Sequence, residues 1–270
     1  MKKLVRVLLF FSFLISCDSN SENQQWQKGN LHTHSFWSDG NDFPEMIIQW
    51  YKNQGYQFIA LSDHNTIAKQ ERWYELSKKD IENKVLEKYE NAYGDWVETQ
   101  TDSMGVRVRL KTFDEYRSKL EEPGRFLIIK SEEVTSSYEK KPIHINVTNI
   151  QEKIEPVKGS SVVEIMQKTL DLVHVQREKL GIPMFAHINH PNFGYGISTE
   201  DLKKLNGERF FELYNGHPAV NNAGNDEYDS TEIMWDLVNI HHLDQGKPLL
   251  YGIATDDSHH YHNFTADLSN

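Results

Sequence analysis

Apolar positions fall in short runs separated by polar, helix-like stretches, and these runs predict the elements. Residues 30–34 form a short strand, after which Asp42, Pro44 and Glu45 open a helix that Gly55 closes, the usual punctuation at helix ends. Residues 58–61 and 126–129 are buried-strand runs that end at Asp63 and His64 and at Glu132 and Glu133, and residues 143–147 form a third such segment carrying His144. Ser161 and Glu164 predict a capping box for a helix running to Leu180 and Gly181, followed by a strand over residues 182–186 that ends at His187. A sixth strand is predicted over residues 209–214. A helix over 231–241 then leads to a seventh strand at 249–254, which ends in Asp256, Asp257, Ser258 and His259. Residues 68–124 read as a charge-rich insertion, with 69–90 an exposed helix of a solvated helical pair.

Strands joined by helices, with ionisable residues gathered at the strand ends, predict an α/β fold: a seven-stranded β/α barrel with its chemistry at the carboxyl face. The connection from Glu133 to His144 is too short for a helix, so the barrel is expected to be distorted, with a doubly wound open sheet as the alternative. The chain stops eleven residues after His259, from which an incomplete domain is expected, lacking a closing element beyond Asn270.

Ahead of this domain, Lys2, Lys3 and Arg6 precede an apolar run over residues 7–15, too short to span a bilayer that needs about 20 residues. The run ends Leu14-Ile15-Ser16-Cys17, which resembles a bacterial lipobox and implies a signal peptide over 1–17, a lipidated Cys17 and a polar tether over 18–26, leaving 27–270 as the globular domain. The expected location is exported, periplasmic or at the cell surface.

Composition narrows the chemistry. A net charge of -11 argues against a nucleic-acid partner, and a single cysteine excludes thiolate metal sites, so nitrogen and oxygen must supply any ligands. Thirteen histidines in 270 residues are an excess that needs an explanation. His32 and His34 lie two apart on a predicted strand and so share a face. With Asp39, His64, Glu133, His144, His187, Asp257 and His259 they make nine donors, nearly all at strand ends. That exceeds one tetrahedral site and implies two or three divalent ions, zinc, manganese or iron. Glu132 competes with Glu133, His190 with His187, and Asp256 with Asp257. His187 is preferred because it directly ends its strand, and Asp257 because it shares a face with His259. Asp63 and Asp256 are expected to orient imidazoles. His174, His241 and His242 read as structural or exposed, and His217, His260 and His262 as rim positions of low consequence.

Leu31-His32-Thr33-His34, Leu61-Ser62-Asp63-His64, Ser131-Glu132-Glu133-Val134 and Thr255-Asp256-Asp257-Ser258-His259, in that order, resemble the PHP (polymerase and histidinol phosphatase) metal-dependent phosphoesterases. The resemblance implies a distorted seven-stranded barrel with a trinuclear site. His32, His34, Glu133 and Asp257 would hold the first ion, Glu133 would bridge to a second held by His144 and His187, and Asp39, His64 and His259 would hold the third. His64, His259 and Asp257 are the candidate catalytic groups, and cation-activated water is the expected nucleophile. The expected substrate is a small anionic phosphorylated metabolite or glycan. A non-phosphate ester or amide, and a non-catalytic metal-binding surface lipoprotein, are the alternatives. Lys130, Lys140 and Lys141 read as solvated lysines and no phosphate-binding Arg is evident.

Overall fold

The computed structural model describes residues 26–262, apart from Met104 and Glu208; the predicted signal peptide, Cys17 and the expected closing element lie outside the described residues. In chain order the elements are β1 (Gly29–Asn30), α1 (Pro44–Asn53), β2 (Phe58–Leu61), β3 (Arg72–Glu75), α2 (Lys78–Glu82), α3 (Val85–Tyr93), β4 (Thr99–Asp102), β5 (Gly105–Leu110) and α4 (Phe113–Leu120). Then follow β6 (Leu127–Tyr138), β7 (Lys141–Thr148), α5 (Val162–Leu180), β8 (Phe185–Ile188), α6 (Thr199–Lys203), β9 (Phe210–Asn215), α7 (Thr231–Asp244) and β10 (Tyr251–Thr255).

Seven strands form one sheet in the order β1-β2-β6-β7-β8-β9-β10. β1, β2 and β6 run parallel, as do β8, β9 and β10, while β7 is antiparallel to both of its neighbours. The sheet curls until its two ends meet at the upper rim, where Thr33 bridges Ser258, the His34 amide donates to the Ser258 carbonyl at 2.9 Å and the Asp257 amide donates to the His32 carbonyl at 3.0 Å. The result is a nearly closed, barrel-like sheet in a mixed α/β fold.

The distortion has a local cause. β6 continues past Ile129 and doubles back as β7 through a two-residue turn at Glu139 and Lys140, both with positive φ (48° and 69°). That is the backbone of a tight hairpin turn whose twist matches its strands. The hairpin occupies the place of a βαβ crossover. Elsewhere the alternation holds: Ser161 caps α5 by accepting from the Glu164 amide at 3.1 Å, and Gly181, at φ +64°, ends it in the left-handed conformation that costs glycine little.

The insertion departs from expectation. It does hold helices, α2, α3 and α4, but β3, β5 and β4 add a small antiparallel sheet, and Val85, Tyr89, Val108, Leu110, Phe113 and Tyr116 join Phe36, Phe43, Ile47 and Ile59 in a second hydrophobic core rather than facing solvent. Arg107, Val108, Arg109 and Leu110 alternate between the partly exposed and buried faces of β5, a period of two that excludes a helix. Phe43, fully buried, stacks on Tyr89 at 4.1 Å and meets Phe36 edge-on at 4.9 Å, joining the insertion to the segment that carries the site. Phe43→Ala is expected to destabilise the protein by about 3–5 kcal/mol in a denaturant titration, the usual consequence of emptying a buried aromatic site.

Candidate metal centre

Loops at the carboxyl ends of the parallel strands and the rising β6–β7 hairpin bring the donors together. Residues 31–34 leave β1 as irregular chain, which carries both imidazoles inward. Their loop is held by Asp63, which accepts from the Ser35 amide, the Ser35 hydroxyl and the Ser38 hydroxyl, each at 2.7 Å. Gly40 lies so close to this loop that a Cβ there would stand 2.3 Å from the His34 carbonyl oxygen, and glycine alone lets Asp39 turn back toward the rings.

At the floor, His32 Nε2, His34 Nε2, Glu133 Oε2 and Asp257 Oδ1 point at one another. Five separations among these four buried atoms are 3.1–3.2 Å. Ligands at about 2.0–2.1 Å from a tetrahedral ion lie about 3.3–3.4 Å apart, so the set has the dimensions of a divalent cation's coordination shell. Asp257 Oδ1 has no hydrogen-bond partner among the described residues. Buried acceptors left facing one another need a cation or added protons. The residues therefore fit a metal ion.

Glu133 carries the arrangement further. Its Oε1 is 2.9 Å from His144 Nδ1 and 3.4 Å from His190 Nε2, and accepts from Asn189 Nδ2 at 2.7 Å, while Oε2 also lies 3.0 Å from His64 Nδ1. Above it, Asp39 stands 3.4 Å from both His64 Nε2 and His259 Nε2 and 3.5 Å from His34 Nδ1. Overlapping groups of three or four donors thus share Glu133 and His34. They open into a cavity of about 450 Å³ walled also by Phe193, His217 and His260.

The charges respond to this crowding. Burial disfavours a charged imidazole, but Asp257, Glu212 and Glu133 outweigh it and hold His32 well above the usual range, and Asp257 and Glu133 push His34 up to about 9. Burial likewise opposes ionisation of Glu133, yet His32, His64 and His144 hold it well below the carboxylate range.

Of the nine predicted donors, the structure brings His32, His34, Asp39, His64, Glu133, His144, Asp257 and His259 to this cluster. His187 sits behind it: its Nε2 is 3.3 Å from Glu212 Oε1, and His190 is the ring that faces Glu133. The reason is that β8 continues to Ile188, two residues beyond its predicted end, so the loop that projects into the cavity starts later. Glu132 faces the opposite side of β6, where it accepts from the Ile154 amide at 3.0 Å and burial raises its carboxyl to about 7. Asp256 accepts from the Tyr51 hydroxyl at 2.8 Å, and Asp63 bears on His34 through the Ser38 hydroxyl, which donates to it and lies 3.3 Å from His34 Nδ1. Lys130, Lys140 and Lys141 lie away from the cavity lining.

Glu212 orients His32 directly. Its Oε1 accepts from His32 Nδ1 at 2.6 Å and from the Thr255 hydroxyl at 2.7 Å, and its Oε2 accepts from the His190 amide at 2.9 Å and Asn215 Nδ2 at 2.8 Å. With the Nδ1 proton fixed there, Nε2 is the His32 nitrogen left to take a cation. A lone carboxylate within the run Phe210, Phe211, Glu212, Leu213 was the available signal. Glu212→Gln is expected to weaken zinc binding by about 10–100-fold, measured by competition titration.

No protein-family model matches the chain, and no curated protein matches it. Solved structures do. A two-domain protein of Bacteroides vulgatus containing a predicted PHP-like metal-dependent phosphoesterase aligns with 87% of this chain at 21% identity and a TM-score of 0.45. The neighbours include PHP-like metal-dependent phosphoesterases. The alignment takes in 52% of the Bacteroides protein, so this chain spans about half of its length. A candidate metal-dependent phosphoesterase of Bifidobacterium adolescentis aligns over 91% of this chain and 92% of its own at 12% identity (TM-score 0.45). An amidohydrolase of Chromobacterium violaceum, with bound sulfate and no metal, aligns over 86% and 88% at 14% identity (TM-score 0.43).

Proposed function

We propose that the chain is a metal-dependent hydrolase of PHP type, a phosphoesterase acting on a small anionic substrate. One observation carries the reading: the two oxygens of Glu133 belong to separate donor groups at the floor of an open cavity, as a carboxylate bridging two cations requires. Two or three bound divalent cations would supply a Lewis acid and an activated water, and zinc, manganese and iron all suit mixed imidazole and carboxylate donors. His32, His34, Glu133 and Asp257 would hold one ion, Glu133 with His144 and His190 a second, and Asp39 with His64 and His259 a third. Glu212 holds the proton on His32 Nδ1, and the Asp257 carbonyl accepts from His259 Nδ1 at 2.9 Å, so both rings keep Nε2 free for ligation. Phe193 packs edge-on against His190 at 5.2 Å and screens that wall from water.

The described cavity lining consists of imidazoles, carboxylates and one phenyl ring. It carries no fixed cation of its own, which supports carboxyl esters or amides as the second substrate class. A turnover screen of phosphomonoesters, phosphodiesters and carboxyl esters with metal-loaded protein separates the readings. Phosphoester hydrolysis is the expected result, carboxyl-ester hydrolysis alone would change the substrate class, and no turnover with full metal occupancy would leave a metal-binding lipoprotein. We also propose export and lipid anchoring at Cys17. Cys17→Ala is expected to release the protein from the membrane fraction and to block incorporation of labelled lipid.

A further inference from the structure

His217 reads in the sequence as a rim position of low consequence, but its surroundings give it a defined chemical sense. It follows β9 at the cavity wall, with its ring 5.0 Å from that of His259 and 6.3 Å from Phe193. The next residue, Pro218, has no N–H, so the first amide beyond it that can reach the ring belongs to Ala219, which donates to Nδ1 at 3.1 Å. The turn is tied at both ends: the Val220 amide donates to the His217 carbonyl at 3.0 Å, and the His217 amide donates to Asn215 Oδ1 at 2.8 Å. Asn215 is buried and itself donates to Glu212 at 2.8 Å and to Asp257 at 3.0 Å, so the loop is referenced to the metal centre.

An amide N–H can only donate, which makes Nδ1 the acceptor. The proton of the neutral ring therefore resides on Nε2. This is the reverse of His32 and His259, whose Nδ1 protons are engaged by Glu212 and by the Asp257 carbonyl, so that Nε2 is the nitrogen left for a cation. His217 is thereby unsuited to ligation through Nε2 and is set up to donate. Its Nε2 has no hydrogen-bond partner among the described residues.

We propose that His217 is a substrate-binding donor, its Nε2–H directed to a phosphoryl oxygen of the ester held beside His259. The proposal rests on the phosphoesterase reading and deepens it by naming a protein group that meets the anion on a wall without lysine or arginine. Hydrogen bonds to charged oxygens of this kind correspond to about 10–100-fold in affinity.

The test uses the full chain loaded with zinc. Long-range proton–nitrogen correlation spectra are expected to show a protonated Nε2 and a bare Nδ1 at His217, and added inorganic phosphate is expected to shift the Nε2 resonance. His217→Ala should weaken phosphate binding and raise KM for p-nitrophenyl phosphate by about 10-fold or more at unchanged zinc content. His217→Gln, whose amide can take the place of the Nε2 donor, should recover most of the loss. A protonated Nδ1, a phosphate-insensitive Nε2, unchanged phosphate affinity in His217→Ala, or a Gln variant as weak as Ala would each overturn the assignment. If the wild type turns over no phosphoester, the functional reading fails separately, and the tautomer and phosphate titration still decide the role of His217.

Discussion

Glu133→Gln is expected to remove both the activity and the ions, with turnover falling by about 10²–10³-fold or more and metal content dropping in parallel. The side chain is fully buried and meets five imidazoles, His32, His34, His64, His144 and His190. An amide in its place removes the charge that compensates them and puts an N–H where an acceptor is required. Glu132→Gln provides the control. That carboxyl is already biased toward its protonated form near neutrality and receives a single hydrogen bond, from the Ile154 amide, so an amide of the same shape should be tolerated. Metal analysis alongside turnover distinguishes the two. Loss in Glu132→Gln with retention in Glu133→Gln would move the bridge to the neighbouring residue.

The second large effect is a pH dependence that metal abolishes. In metal-free protein His34 binds its proton up to about pH 9, because Asp257 and Glu133 overcome the penalty of burial. The folded state then holds a proton that the unfolded chain, with an ordinary imidazole near 6.5, gives up earlier. The resulting stabilisation is complete below about pH 6.5 and is lost as the pH climbs through about 9. It is on the order of 3 kcal/mol for a shift of this size. An imidazole engaged by a cation has no such proton to lose, so zinc-loaded protein should hold its stability over the same interval. Apparent zinc affinity should rise across it as proton competition fades. Melting curves with and without chelator between pH 6.5 and 9 check this, and parallel curves would refute it.

The parts of the fold that depend on local rules were legible in the chain. The run Phe58–Leu61 is a strand with the predicted bounds, and Ser161 and Gly181 delimit α5 because an N-cap hydroxyl and a left-handed glycine act within one turn of the helix. Long-range pairing decided what was misread. The alternation of Arg107, Val108, Arg109 and Leu110 was present, but its partners β3 and β4 are weak strands on their own, and the charges around them resembled a solvated helix. The first strand shrinks to Gly29–Asn30 because the chain must leave regular geometry to aim His32 and His34 at the same carboxylates. For the site, residue type and spacing were sufficient for the strand-end donors. His190 and Glu212 depend on where β8 ends and on which face of β9 lines the barrel, and a single chain does not display either.

The β6–β7 hairpin also carries a parity rule for sequence drift. Glu133 is tied to the β2 side by its bridge to His64, whereas His144 is placed by counting back through the turn, in the register Thr135 to His144. Side chains alternate faces along a strand, so a one-residue slip of the paired register between Glu133 and His144 turns His144 away from the cavity. Length changes should therefore be confined to the turn, and a peptide grafted at Glu139 and Lys140 offers a place to append sequence without disturbing the chemistry below.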